Sequence, residues 1–137
     1  MIVFDADRIG PWVCERAGGT WVKGRGTAIG LEDGSSGELL AGVLYDDWNG
    51  ANVNMHVAAV PGRKWLNREF LRVCFDYPFN QLHVKRVTGL VASVNLDAMR
   101  FDLHLGFKLE ATLKDAHPEG DMNILVMRRE DCRWLEN

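Results

Sequence analysis

Asn95-Leu96-Asp97-Ala98-Met99-Arg100-Phe101-Asp102-Leu103-His104-Leu105-Gly106-Phe107 reads as a capped helix that stops at a glycine and passes straight into a strand. Asn95 is a favourable N-cap, because its side-chain oxygen accepts from an amide left unpaired in the first turn. Gly106 suits the left-handed position that closes a helix. Phe107 to Leu113 then reads as extended, and the Val-rich segment Lys85 to Ser93 before the helix reads as a strand. Taken alone, the stretch also fits an ordinary helix-glycine-strand turn.

The order of elements builds outward from there. Asn52 to Val60 is a strand with two unlike faces: Val53, Met55, Val57 and Ala59 on one, Asn52, Asn54, His56 and Ala58 on the other. Such a polar face is either half exposed or lines a site. Pro61-Gly62 breaks the strand. A helix is expected from Lys64 to about Tyr77, with Leu66, Phe70, Val73 and Tyr77 on one stripe, ended by Pro78 and Asn80. Upstream, Asp5 to Arg16 is a helix with Ile9, Trp12 and Val13 on one face, although Pro11 threatens a kink. Gly24 to Leu31 and Glu38 to Asp47 are strands joined by the loop 32–37. Asn49-Gly50 is a strong turn signal before the strand at Asn52. Phe107 to Leu113 and Asn123 to Arg129 close the chain as an antiparallel pair, connected by 114–121. The order helix, three meander strands, helix, strand, helix, two strands is an α+β arrangement on a mixed, mostly antiparallel sheet flanked by helices.

The chain has 137 residues, enough for a single domain spanning 1–137 with a core that needs no disulfides. It has no apolar run of ~18 residues, so no membrane span is expected. Met1-Ile2-Val3-Phe4-Asp5 offers no basic region or cleavage site of a signal peptide. Cys14, Cys74 and Cys132 are odd in number and widely spaced, which points to a reducing, cytoplasmic setting rather than a disulfide frame or a metal site. The net charge of −3 and the mixed charges give no nucleic-acid footprint. The densest basic cluster, Arg63, Lys64, Arg68 and Arg72, falls at a helix start.

The pattern Asn95-x-x-Ala98-x-Arg100, with Leu105-Gly106-Phe107 beginning seven residues past Ala98, resembles the end of the acetyl-coenzyme A fold of the GNAT superfamily of N-acetyltransferases. The order of elements is also that of GNAT enzymes over nearly the whole chain. Tyr77-Pro78-Phe79-Asn80-Gln81-Leu82 followed by Val84-Lys85-Arg86-Val87-Thr88 is similar to short GNAT proteins of bacterial viruses, and Glu110 resembles the ribosomal-protein N-terminal acetyltransferase branch. The resemblance implies a central parallel strand pair, ending near Val60 and starting near Lys85, that splays to admit the coenzyme. It implies acetyl-CoA as co-substrate and transfer of acetyl to a primary amine on a protein N-terminus, a lysine or a small molecule, with a host protein one candidate acceptor and the enzyme a monomer or homodimer. An alternative is a GNAT-shaped protein that has lost its chemistry and acts by contacting a partner.

The family grips pyrophosphate with amides at the start of the helix after the central strand, where free N–H groups and the helix dipole favour anions. Here that place is Pro61-Gly62-Arg63-Lys64-Trp65-Leu66-Asn67, which keeps only Gly62 of the usual glycine-rich loop. Arg63 and Lys64 can supply charge instead. A solvated basic first turn is the plainer reading, but it opposes the helix dipole. The resemblance also assigns the pantetheine arm to the strand around Val57, Ala58 and Val60, and to Asn95, with Arg100 beside it. Aligned on Gly106, Asp102 stands where many members carry a tyrosine that protonates the leaving thiolate. An Asp serves there only if burial raises its pKa; otherwise it is an exposed helix residue, and water or the departing ammonium protonates the thiolate. His56 is the candidate base, since a neutral imidazole accepts a proton from an ammonium directly or through water. Asn54, on the same face, is placed to hold that water. A histidine bonded within the sheet is the plain alternative. Trp48 and Trp65 fall at a loop and a helix start, and read as mouth or interface residues.

Overall fold

The computed structural model describes residues 1–62 and 67–135. Its elements are β1 (Ile2–Val3), α1 (Ala6–Ala17), β2 (Thr27–Glu32), β3 (Leu39–Asp46), β4 (Asn52–Ala59), α2 (Arg68–Asp76), β5 (Arg86–Ala92), α3 (Leu96–Leu105), β6 (Lys108–His117) and β7 (Gly120–Arg128). They build one seven-stranded sheet in the order β1-β2-β3-β4-β5-β7-β6. Every neighbouring pair is antiparallel except β4 and β5, which are parallel.

Helix α1 lies on the sheet face that carries Ala28, Leu44 and Ala58, and buries Ile9 and Val13 there. Close approach depends on two glycines. A Cβ on Gly42 would sit 2.8 Å from a Val13 methyl, and one on Gly30 would sit 2.9 Å from Ile9. Pro11 is accommodated within α1, so the helix runs on to Ala17. The opposite face of β3 and β4, with Val43, Tyr45, Val53 and Met55, packs on Phe70, Leu71, Cys74 and Phe75 of α2 in the main core. Fully burying a side chain of this size contributes roughly 1.5–3 kcal/mol.

Helix ends follow their residues. Asn67 Oδ1 accepts from Phe70 N at 2.7 Å, and Asn95 Oδ1 from Ala98 N at 3.2 Å. Gly106 takes φ 118° and donates its N–H to the Asp102 and Leu103 carbonyls. Helix α2 begins at Arg68, after an extended Asn67 that caps it, and not near Lys64 as expected; residues 63–66 lie outside the described residues. Its end departs from expectation. The chain does not stop at Pro78 but widens into a π turn over Tyr77–Gln81, closed by Leu82 N to Tyr77 O at 3.0 Å. Pro78 has no N–H for the Cys74 carbonyl four residues back. The buried Tyr45 hydroxyl donates to that carbonyl instead.

One other expectation is corrected, and one element is new. The segment 114–121 is not an open connection: β6 runs to His117 and β7 begins at Gly120, with a register shift between Leu113 and His117. Ile2–Val3 adds a short edge strand to β2 that composition did not suggest.

Candidate functional site

The parallel pair is short. Its register covers Asn52↔Arg86, Val53↔Val87 and Asn54↔Thr88, and there it ends. Beyond Asn54, β4 stays paired with β3 as far as Ala41↔Ala59, and β5 stays paired with β7 as far as Ala92↔Met122. The two strands therefore part while each keeps its outer partner. The backbone on the inner edge of β4 is left facing a gap. Val60 N donates to Leu40 O at 2.8 Å, toward β3. Strand amides alternate in direction, so those of Ala58 and His56 also serve β3, whereas those of Val57 and Ala59 point into the gap.

A cavity of about 600 Å³ opens on this gap. Residues 57–62 form one wall; Asn95, Ala98, Phe101 and His104 of α3 form another, and Arg16 and Ala17 at the end of α1 close a third side. Val57, Ala58, Val60 and Asn95, all expected from sequence, meet here. Ala59 was missed, although alternation makes it a partner to Val57 as a source of free backbone. The expected backbone roles of Ala58 and Val60 are corrected, since their amides are turned to β3. Ala58 is also buried under α1, so the strand's polar face is covered at that point. Arg16 was missed as well; it stacks its guanidinium 4.0 Å over the Trp12 ring beside the cavity. Arg100 does not line the cavity. It is exposed and lies 3.7 Å from Asp97, because the helix turns it outward. Asn67 uses its side-chain oxygen as the α2 cap. Arg63, Lys64, Trp65 and Leu66 lie outside the described residues.

Where the strands begin to part, three ionisable groups meet. His56 Nε2 lies 3.0 Å from Asp46 Oδ1, with side chains 16% and 23% exposed. The pairing follows from the hairpin: Asp46 faces Asn54 and Leu44 faces His56, so Asp46 and His56 are diagonal neighbours on one face. The third group is Asp102, which is buried rather than exposed. Its carboxyl lies beside Gly89, the first β5 residue past the last parallel pair, 3.7 Å from where a Cβ would stand. Burial pushes its pKa up to about 7, and the nearby His56 charge opposes that rise only in part.

Asn54, by contrast, belongs to a closed polar row. Arg86 Nε donates to Thr88 Oγ1, and Thr88 Oγ1 to Asn52 Oδ1 at 2.6 Å. Asn52 Nδ2 donates to Asn54 Oδ1, and Asn54 Nδ2 to Asp47. The amide expected to hold a water thus has neighbours at both ends. Trp48 is exposed beside Asp46 and Asp47, on a second cavity of about 220 Å³. No helix among the described residues is long and apolar enough to cross a membrane.

No family model matches the sequence, and no curated protein matches it. Solved structures do match. A mutant of the spermidine N-acetyltransferase SpeG from Vibrio cholerae superimposes with a TM-score of 0.66 at 18% identity, over 83% of this chain and 70% of that one. The spermidine N-acetyltransferase from Vibrio cholerae in complex with CoA and spermine gives 0.66 at 18% identity, over 82% and 70%. An acetyltransferase of the GNAT family from Bacillus anthracis gives 0.62 at 14% identity, over 75% and 66%. At such identities the likeness is one of fold, and the sheet that parts between β4 and β5 is the fold of GNAT acetyltransferases.

Proposed function

We propose that this protein is an acyl-CoA-dependent N-acyltransferase that moves acetyl from acetyl-CoA to a primary amine by direct attack in a ternary complex. The observation that carries the reading is the parting of β4 from β5 beside a 600 Å³ cavity, with a base and an acid at the point of parting. The free amides of Val57 and Ala59 pair with the pantetheine arm as an added strand does. Asn95 offers its side-chain amide to the same arm while its oxygen caps α3. One of the gap-facing amides polarises the thioester carbonyl, as an oxyanion-hole donor does.

His56 takes the proton of the incoming ammonium, directly or through a water near Asn54. The amine nitrogen then bonds to the carbonyl carbon. As the tetrahedral intermediate collapses, the carbon–sulfur bond breaks, and Asp102 gives its proton to the departing thiolate. The proton held by His56 restores Asp102, and the nitrogen of the intermediate sheds its second proton to solvent as it becomes the amide, so the cycle closes with one proton released. A carboxyl with a pKa of about 7 is about half protonated at neutral pH, which is what this acid needs. Arg63 and Lys64, with Trp65, Leu66 and Asn67, are assigned to the pyrophosphate, and Arg16 adds a cation near the cavity. Arg100 is left at the outer rim of the coenzyme.

The acceptor we favour is a protein N-terminus, in line with the resemblance of Tyr77–Leu82 and Glu110 to the phage-encoded and ribosomal-protein branches. A protein of the host is the natural partner in that reading, and the cytoplasm the natural setting. The test is calorimetric titration with acetyl-CoA, followed by transfer of labelled acetyl to a panel of peptides and small amines. Binding and transfer to one class are expected. No binding at millimolar acetyl-CoA would overturn the reading in favour of a binding protein without chemistry.

A further inference from the structure

We infer that Asp46 is a positioning residue that fixes the tautomer of His56, so that Nδ1 and not Nε2 is the catalytic base. The inference rests on the reading of His56 as the base, and adds which atom acts and what holds it there. Asp46 Oδ1 lies 3.0 Å from His56 Nε2. An ionised carboxylate only accepts hydrogen bonds, so the Nε2 that bonds to it carries the hydrogen. In the neutral ring Nδ1 is then the free lone pair, and no described residue hydrogen-bonds it.

The fold enforces this pairing rather than leaving it to two mobile chains. Asp46 ends β3 and His56 sits within β4, in an unbroken antiparallel register from Ala41↔Ala59 to Asp46↔Asn54. Both side chains are largely shielded from solvent. The other ionisable groups facing this pair are Cys14 on α1, whose thiol is raised by burial and then by the Asp46 charge, and Asp102 on α3. When Nδ1 takes a proton from the amine, the ring becomes an imidazolium with both nitrogens protonated, and the Asp46 carboxylate stabilises that charge. No bond to Asp46 forms or breaks. The proton stays on the ring until it is passed on toward the acid, so the balance of the acyl transfer is unchanged.

The experiment is long-range proton–nitrogen correlation on the nitrogen-15-labelled full chain, paired with steady-state kinetics of Asp46→Asn, Asp46→Glu and His56→Gln. The neutral ring of His56 should be the Nε2–H tautomer. In Asp46→Asn the side-chain amide can donate to Nε2, so the tautomer should reverse and kcat should fall roughly 10²-fold, with the KM for acetyl-CoA unchanged. Asp46→Glu should restore the Nε2–H tautomer and part of kcat. An Nδ1–H tautomer in the unaltered protein overturns the inference whatever the variants do. Asp46→Asn with full kcat while His56→Gln is inactive overturns this inference alone. Full activity in both variants overturns the base reading beneath it.

Discussion

The two halves of β4 share one strand and one alternation, yet they do opposite things. In the first half, Asn52 to Asn54, the strand is paired on both sides, and its polar side chains are joined in a row to Thr88, Arg86 and Asp47. In the second half, beyond Asn54, it is paired on one side only, and from Val57 onward it borders a cavity. Two asparagines and a histidine on one face look alike in sequence. Pairing separates them: the closed half spends its polar groups on the sheet, whereas the open half leaves the Val57 and Ala59 amides without a neighbouring strand. Under the proposed function, the comparison assigns the chemistry to His56 and the Val57–Ala59 backbone, and leaves Asn52 a structural part.

The hardest blow to the open half is His56→Gln. Glutamine keeps a donor for Asp46 but cannot take up a proton at neutral pH. The chemical step should fall by about 10²–10⁴-fold, the range for a positioned base, while coenzyme affinity should stay nearly intact if, as proposed, backbone groups hold the pantetheine. Single-turnover rates beside calorimetric binding check this. Loss of melting temperature in proportion to loss of activity would move His56 to the structural half.

Asp102→Asn should lower kcat by a smaller factor, about 10²-fold, and stabilise the fold at high pH. The folded carboxyl titrates at about 7, against an ordinary value of 3.8. Below about pH 4 both folded and unfolded chains hold the proton, and the residue is no burden. Between those values the unfolded chain releases its proton first, so stability falls as pH rises, and above about 7 the loss is complete. The difference corresponds to about 4 kcal/mol as an upper bound. Asparagine carries no charge at any pH. The variant's melting temperature should therefore exceed that of the parent at pH 8 and converge with it toward pH 4. A lower melting temperature for the variant at pH 8 would show that Asp102 is ionised and well solvated in the fold. In the parent, any step that needs this acid should slow as pH rises through about 7.

Asn52→Ala tests the closed half from the other direction. It removes the acceptor of the Thr88 hydroxyl and the donor to Asn54. Loss of a part-buried hydrogen bond costs about 1–2 kcal/mol, and kcat per folded enzyme should not change. Denaturant unfolding beside the same kinetics separates the two. A large drop in kcat at unchanged stability would erase the division between the halves.

How much of this was legible from the chain follows the same line. Caps and turns are local, so Asn95, Gly106 and the Asn49-Gly50 turn could be read directly, and Asn49 does accept from the amides of Ala51 and Asn52. The order of strands was legible because each run had its own period. Asp46 was overlooked because its meaning depends on hairpin register, which pairs it diagonally with a residue ten positions away. Counting outward from the turn would have found it. The burial of Asp102 was not legible, since a short helix with polar residues on several sides does not say which side meets the sheet. Arg100 shows the same lack, with the opposite outcome. Ala58 was assigned to the right face, but nothing in the sequence said that α1 would cover that face.

The smallest expected effect, at Asn95, decides whether a cap can also serve the open half. Its side-chain oxygen is committed to Ala98 N, while the residue lines the cavity and has side-chain N–H groups to offer. Alanine would remove both functions, so Asn95→Ala should cost about 1 kcal/mol of stability and also raise the KM for acetyl-CoA. Serine separates them, because its hydroxyl caps about as well but cannot reach as far or offer an amide. Asn95→Ser should therefore melt within about a degree or two of the parent, a shift that a change of a few tenths of a kcal/mol produces in a domain of this size. Its KM should still rise by a factor of about five to ten, the equivalent of one hydrogen bond near 1 kcal/mol. If serine restores both melting temperature and KM, the asparagine is a cap alone, and the pantetheine depends on the Val57 and Ala59 backbone without help from α3.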